Sequence, residues 1–314
     1  MIRHDLSRHR IHSMLKTAMG PDIMKALGDK NTQEVMLNPD GRLWLDIQGR
    51  GRVDTGIQLS ALDAERLIRL VASHMGSECH AKNPIVSAEL PETGERFEGL
   101  LPPVVTAPVF SIRKKAEVVF DLQDYVAQEI ITTLQQQHLI EAVRARKNIL
   151  VVGGTSSGKT TLTNALLQEV AKSGDRVVLI EDTRELQCAA KDCVALRTKE
   201  GVVDLPRLVR STLRLRPDRI IIGEVRGAEA LDMLKAWNTG HPGGITTLHA
   251  NSARAGLYRL EQLIQETVVA VPHQLISDAI DLILFIERGA AGRTLKEIVQ
   301  VKGFKEGDYH LIPL

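Results

Sequence analysis

The chain has 314 residues, of which 43% are hydrophobic and 25% charged, and its formal net charge is +1. That length accommodates two domains with cores of their own, the composition is that of a soluble globular protein, and the near-neutral balance excludes a global basic field for nucleic acid. Three cysteines, Cys79, Cys188 and Cys193, with no CxxC pair, exclude a disulfide scaffold and a zinc module.

In chain order, the first segment is MIRHDLSRHRIHSMLKTAMG, with Leu6, Ile11, Met14, Leu15 and Ala18 on an apolar side and Arg3, Arg8, Arg10 and Lys16 around it. It either lies on an anionic membrane surface or packs as an ordinary helix on its own domain. Its modest amphipathicity favours packing. Val35 to Asp46, VMLNPDGRLWLD, predicts two short strands around the turn Asn38-Pro39-Asp40-Gly41. Ser60 then caps a helix with the stripe Leu67, Leu70, Val71 and Met75. Leu90 to Phe110 is extended and punctuated by Pro and Gly, and leads into SIRKK. These elements predict a small α+β domain over residues 1–118, a linker over 119–127 and a second domain over 128–314.

In the second domain, strands and helices alternate: NILVVGG, a helix from Lys159, RVVLIED, a helix near Leu205 to Leu213, RIIIGE, a helix from Ala228, then GITTLHA. That alternation predicts α/β architecture, a parallel sheet covered by helices. No apolar run approaches the ~18 to 20 residues that span a bilayer, and the N-terminus shows no signal-peptide hydrophobic region. A cytoplasmic location is expected.

At the first strand-to-helix turn, Gly153, Gly154, Thr155, Ser156, Ser157, Gly158, Lys159, Thr160 and Thr161 match the phosphate-binding loop in full. Gly153 and Gly158 allow torsions and a close approach that a Cβ would block. The successive N–H groups and the helix start form an anion cradle. Lys159 is placed to reach the β- and γ-phosphates and Thr160 to offer its hydroxyl to Mg²⁺. A nucleoside triphosphate is the ligand class these residues imply.

RIIIGEVRG places Ile220, Ile221 and Ile222 in a strand buried on both faces and Glu224 at its C-terminal end. Strand C-termini converge on one crevice in open α/β folds, so Glu224 can orient water against a γ-phosphate or hold magnesium through water. Pairing with Arg226 as a surface acid is the plainer alternative. Gly223 stands where a Walker B strand usually carries Asp. Glu181, Asp182 and Glu185 cluster after RVVLIE, where repulsion calls for a cation or polarised water, and Glu181 is a further candidate for magnesium through water. His249 ends GITTLHA and can donate to a phosphate oxygen, or serve as a structural hydrogen-bonded histidine. Arg210, Arg214 and Arg216 precede the Walker B strand as candidates for an arginine supplied across a ring interface, with Arg210 and Arg214 spaced i, i+4 on one helical face.

Four boxes occur in order: GGTSSGKTT, IEDTRE, RLRPDRIIIGEVRG and TGHPGGITTLHANS. Together they resemble the ATPases that drive type II and type IV secretion and pilus assembly, over most of residues 85 to 290. The resemblance implies a RecA-like P-loop domain with a parallel-rich sheet, preceded by the smaller α+β domain. It implies ATP as the nucleotide, Mg²⁺, Lys159, Glu185 and Glu224 in hydrolysis, and His249 as the histidine-box residue. EDT in place of the EDP usual in the pilus and type II branches, and the lack of a four-cysteine zinc insert, favour the type IV secretion branch and its conjugal-transfer members. In that branch two N-domain arginines reach the nucleotide, and Arg96 and Arg113 fall on those places. The implied assembly is a homo-hexamer, cytoplasmic or peripheral on the inner membrane, partnered by inner-membrane components of the apparatus.

Rival readings stand beside it: a pilus or type II secretion ATPase, a RecA-like motor acting directly on nucleic acid, and a nucleotide-gated scaffold without turnover. The near-neutral charge and 3% aromatic content give no indication of direct nucleic-acid binding.

Overall fold

The computed structural model describes residues 2–91, 93–114, 119–199, 201–289 and 292–314, with side chains described from residue 13 onward. The chain divides into two compact units, Met1–Glu117 and Val118–Leu314.

The first unit contains α1 (Ile2–Gly28), β1 (Thr32–Leu37), β2 (Arg42–Ile47), β3 (Gly51–Gln58), α2 (Ala61–His74), β4 (Ile85–Glu89), β5 (Arg96–Leu100) and β6 (Val109–Arg113). Its strands form one antiparallel sheet in the order β3-β2-β1-β6-β5-β4. The β1–β2 turn falls on Asn38–Gly41, closed by Gly41 N–H donating to the Asn38 carbonyl at 3.0 Å. α1 is interrupted at Gly20, whose φ of 71° breaks the helix just before Pro21. Leu15, Met19, Ile23 and Ala26 are buried in the core of this unit, so the second half of α1 packs on its own domain, and Met14 is exposed. The side chains of Leu6, Ile11, Arg3, Arg8 and Arg10 lie outside the described residues.

Ser60 caps α2 as its sequence predicts, accepting from Asp63 N–H at 3.1 Å. The buried face comprises Ala64, Leu67, Ile68, Val71 and Ala72, whereas Met75 is the exposed cap residue and Leu70 sits at the margin. The predicted stripe is thus rotated by part of a turn. A spacing of three or four residues defines a helical face only to within that rotation, and the packing partner selects its centre.

The second unit contains α3 (Leu122–Ala127), α4 (Thr133–Arg144), β7 (Ile149–Gly153), α5 (Lys159–Ala171), β8 (Val177–Glu181), β9 (Cys193–Arg197), α6 (Leu205–Thr212), β10 (Arg219–Ile222), α7 (Glu229–Asn238), β11 (Ile245–His249), α8 (Ala253–Gln265), α9 (His273–Ala279), β12 (Leu282–Gly289), β13 (Gly292–Lys305) and β14 (Asp308–Pro313). Its sheet runs β14-β13-β12-β7-β11-β10-β8-β9. The strands from β12 to β9 are parallel, and β13 and β14 extend the sheet antiparallel. One apolar core lies on each face. Ile220, Ile221 and Ile222 have no exposed surface, as the β-branched run predicts, and each contributes about 2 kcal/mol by burial.

Part of the segment expected as linker, 119–127, is helical. Asp121 and Asp124 form a capping box at the start of α3, and Leu122 and Tyr125 are buried in the core beneath α5. Six helical residues carry too little periodicity to announce themselves, and tertiary burial holds them in place. α6 ends at Thr212, so Arg210 is helical while Arg214 lies in the turn beyond, and the two do not share one helical face.

Candidate nucleotide site

β7 ends at Gly153 and α5 begins at Lys159, so the phosphate-loop sequence occupies one tight strand-to-helix turn. Gly158, at φ 102°, is the N-cap of α5, and no side chain caps the helix. The first-turn N–H groups are therefore directed at whatever lies beyond the loop. A Cβ on Gly153 would stand 2.4 Å from the Ile286 carbonyl oxygen, which only glycine avoids. Ser157 is buried with no hydrogen-bond partner for its Oγ. Lys159 arches over the turn and donates to the carbonyls of Gly153 at 3.0 Å and Gly154 at 2.9 Å. Uncapped N–H groups, an orphaned hydroxyl and an ammonium on one turn fit a phosphate chain.

The three acids after β8 separate. Glu181 turns inward, where its Oε1 accepts from Glu185 N–H at 2.9 Å and Leu186 N–H at 2.7 Å. Burial raises its pKa, and those two backbone hydrogen bonds only partly offset the rise. Asp182 accepts from Thr198 Oγ1 at 2.9 Å. Glu185 faces the phosphate loop, accepting from Thr160 Oγ1 at 3.2 Å. Asn164, which the sequence reading did not single out, clamps this segment by donating to Glu185 O at 3.1 Å and accepting from Gln187 N–H at 2.9 Å. Its signal was an amide one turn after Thr160, next to the apolar run Ala165, Leu166 and Leu167.

Among the described residues no group of three His, Cys, Asp or Glu side chains is placed to hold a metal. Magnesium bound with a nucleotide asks for little more than one or two protein oxygens besides phosphate and water. The Thr160 hydroxyl, with Glu185 beside it, meets that requirement. Glu181 Oε1 is already taken up by the N–H groups of Glu185 and Leu186.

Glu224 follows β10 and its carboxylate is divided between two partners. Oε2 accepts from Arg226, with Nε at 2.7 Å, and Oε1 lies 2.9 Å from His249 Nε2. His249 Nδ1 in turn lies 3.3 Å from Lys159 Nζ. Burial, and next the Lys159 charge, lower the histidine pKa against the opposing pull of Glu224. The neutral ring, donating from Nε2 and accepting at Nδ1, satisfies both neighbours. For Arg226 burial acts downward, but the hydrogen bond and charge of Glu224, with Asp182 and Glu185 nearby, raise its pKa further. The Arg226 pairing foreseen for Glu224 is present, and it coexists with a relay to the phosphate loop. Gly223 has its own cause: a Cβ there would lie 3.2 Å from Glu181 Cγ. The inward Glu181 occupies the room that an Asp at 223 would need.

In the first unit, Arg96 and Arg113 are direct partners across β5 and β6, two like charges side by side. In the second, Arg210 lies 3.6 Å from Asp232, and Arg214 and Arg216 are exposed.

A phosphate loop on an inner strand of a parallel-rich sheet, with a histidine delivered by the adjacent β11 and acids by β10 and β8 beyond it, defines a RecA-like P-loop nucleotide-binding protein. The chain belongs to the type II/IV secretion system protein family, whose pattern matches residues 22–294. It is 47% identical to the probable conjugal transfer protein TrbB of Sinorhizobium fredii, over 97% of this chain and 94% of that protein. It is 32% identical to the type IV secretion system protein VirB11 of Bartonella henselae, over 84% of each. The pilus retraction motor PilT, solved with bound ADP, shares the fold at a TM-score of 0.66 and 19% identity, over 93% of this chain and 82% of that one. Among the described residues no helix is long and apolar enough to cross a membrane.

Proposed function

We propose that this protein is an ATP-hydrolysing motor of a conjugative-transfer or type IV secretion apparatus, working as a homo-hexameric ring on the cytoplasmic side of the inner membrane. The observation that carries the reading is the continuous contact from Lys159 through His249 to Glu224, beside the Thr160–Glu185 pair. Kinship with a conjugal transfer protein at 47% identity supports the biological setting.

Lys159 leaves the loop carbonyls to meet the β- and γ-phosphates. Mg²⁺, when bound, neutralises charge on those phosphates. Thr160 Oγ1 and Glu185 would hold it. Glu224 orients the attacking water and takes its proton once Arg226 turns aside toward Asp182 or Glu185, whose charges already act on the guanidinium. His249 senses the γ-phosphate through its contact with Lys159. Arg96 and Arg113 contribute positive charge to the nucleotide, and one of Arg210, Arg214 and Arg216 serves the neighbouring protomer's site.

The test is phosphate release by the purified protein together with transfer frequency from donor cells carrying Lys159→Ala. Loss of both supports the reading. Normal transfer by the variant removes the motor from the apparatus, and release that the substitution leaves unchanged removes the phosphate loop from the chemistry.

A further inference from the structure

A second cation reaches the phosphate loop from the side of the sheet that carries none of the acids. Arg293 lies at the start of β13 and leans across Gly158, where a Cβ would stand 2.9 Å from its Cδ and 3.1 Å from its Nε. That Nε is buried and has no hydrogen-bond partner, and no ion pair is formed by Arg293 among the described residues. Its direct partner across β12 and β13 is Arg288, so two like charges stand opposite each other at this end of the hairpin. Both features cost stability until an anion arrives. No carboxylate of the site supplies one: Glu185 and Glu224 follow β8 and β10, on one side of β7, while β12 and β13 lie on the other.

This asymmetry orients the ligand. The reacting end of the phosphate chain has to face Glu224 and His249, so the end that bears the nucleoside points toward β12 and β13. We propose that Arg293 binds the phosphate attached to the nucleoside, the α-phosphate, as a nucleotide-binding residue outside the four sequence boxes. The assignment rests on the phosphate-loop reading above. An arginine suits the place because its planar fork is weakly hydrated and meets phosphate oxygens with parallel N–H bonds. Since the α-phosphate is common to substrate and product, the contact serves affinity for both, and the loss falls in KM rather than in kcat.

The experiment is titration of fluorescent ADP, fluorescent GDP and a non-hydrolysable ATP analogue into wild type, Arg293→Gln and, as reference, Lys159→Ala. Expected for Arg293→Gln is a rise of about tenfold in Kd for all three ligands, the scale of a lost charge-assisted hydrogen bond. Unchanged affinity in a variant that melts like wild type overturns the proposal. A loss confined to ADP, with GDP unaffected, shows a contact to the base and overturns the phosphate assignment. Failure of wild type to bind any of them overturns the phosphate-loop reading itself, and this proposal with it. A measurement on the wild type needs no variant to fold: phenylglyoxal modification, mapped by mass spectrometry, is expected to slow at Arg293 when ADP is bound. Equal rates with and without ADP count against the contact.

Discussion

His249 Nδ1 stands 3.3 Å from the ammonium of Lys159, so the histidine at the end of β11 touches the phosphate loop and Glu224 at the same time. Burial, and then that ammonium, hold the imidazole below its ordinary value of 6.5. In the unfolded chain the ring takes up its proton near 6.5, whereas the folded chain does so only at lower pH. The unfolded state therefore binds more protons in that window, and stability contributed by the neutral ring is present above pH 6.5 and lost as pH falls through the folded value. Urea midpoints measured on either side of this window should fall on acidification in wild type and fall less in His249→Gln. Parallel curves for the two proteins would show that His249 is not the titrating group.

Lys159→Ala removes the point charge expected at the β- and γ-phosphates. Phosphate release should drop by at least about a hundredfold, the scale seen when one preorganised donor is deleted. The carbonyls of Gly153 and Gly154 lose a donor but gain access to water, so stability should stay within about 1 kcal/mol of wild type. Steady-state release and urea denaturation on the same preparation check both parts.

Glu224→Gln keeps the size of the side chain and removes its charge. Nucleotide binding should persist while turnover falls by about a hundredfold or more, as for loss of a general base. An equilibrium titration beside single-turnover hydrolysis reads the two separately. Weakened binding with normal turnover per bound nucleotide would move Glu224 from chemistry to binding.

Gly223→Asp, which restores the residue usual in a Walker B strand, is expected to do harm. Its Cβ would press on Glu181 at 3.2 Å and loosen the two backbone bonds that hold Glu185. Overpacking of this kind costs about 1–3 kcal/mol. Glu181→Ala should cost a similar amount by leaving two N–H groups unpaired, and both variants should lower turnover. A Gly223→Asp protein of wild-type stability and activity would show that the site accommodates the extra acid.

Arg96→Ala and Arg113→Ala each should raise the KM for ATP by about tenfold, the effect of losing a charge-assisted phosphate contact. Initial rates across an ATP series decide it. Normal KM values in both variants would confine the pair to the sheet of the first unit.

The phosphate loop was legible in the residues because its function is mostly backbone geometry, and geometry that demands glycine leaves a mark at Gly153 and Gly158. The buried strand Ile220–Ile222 was legible because two covered faces exclude polar side chains. α3 and β3 were not: α3 is too short for periodicity, and Gly51 and Gly56 weaken the strand pattern of β3. Which acid does what was equally hidden. Glu181, Asp182 and Glu185 are near neighbours in sequence, yet one is buried against the backbone N–H groups of Glu185 and Leu186, one meets Thr198 and one meets Thr160.

Local sequence determined the anion cradle and the strand that carries Glu224, since both follow from backbone torsions and burial within a few residues. Only the tertiary structure decided that Glu224 reaches Lys159 through His249, that Glu181 faces inward against Gly223, and that Arg293 lies on Gly158. Those contacts join residues 25 to 135 positions apart or depend on a side chain's direction of burial, and sheet order, not sequence spacing, sets both.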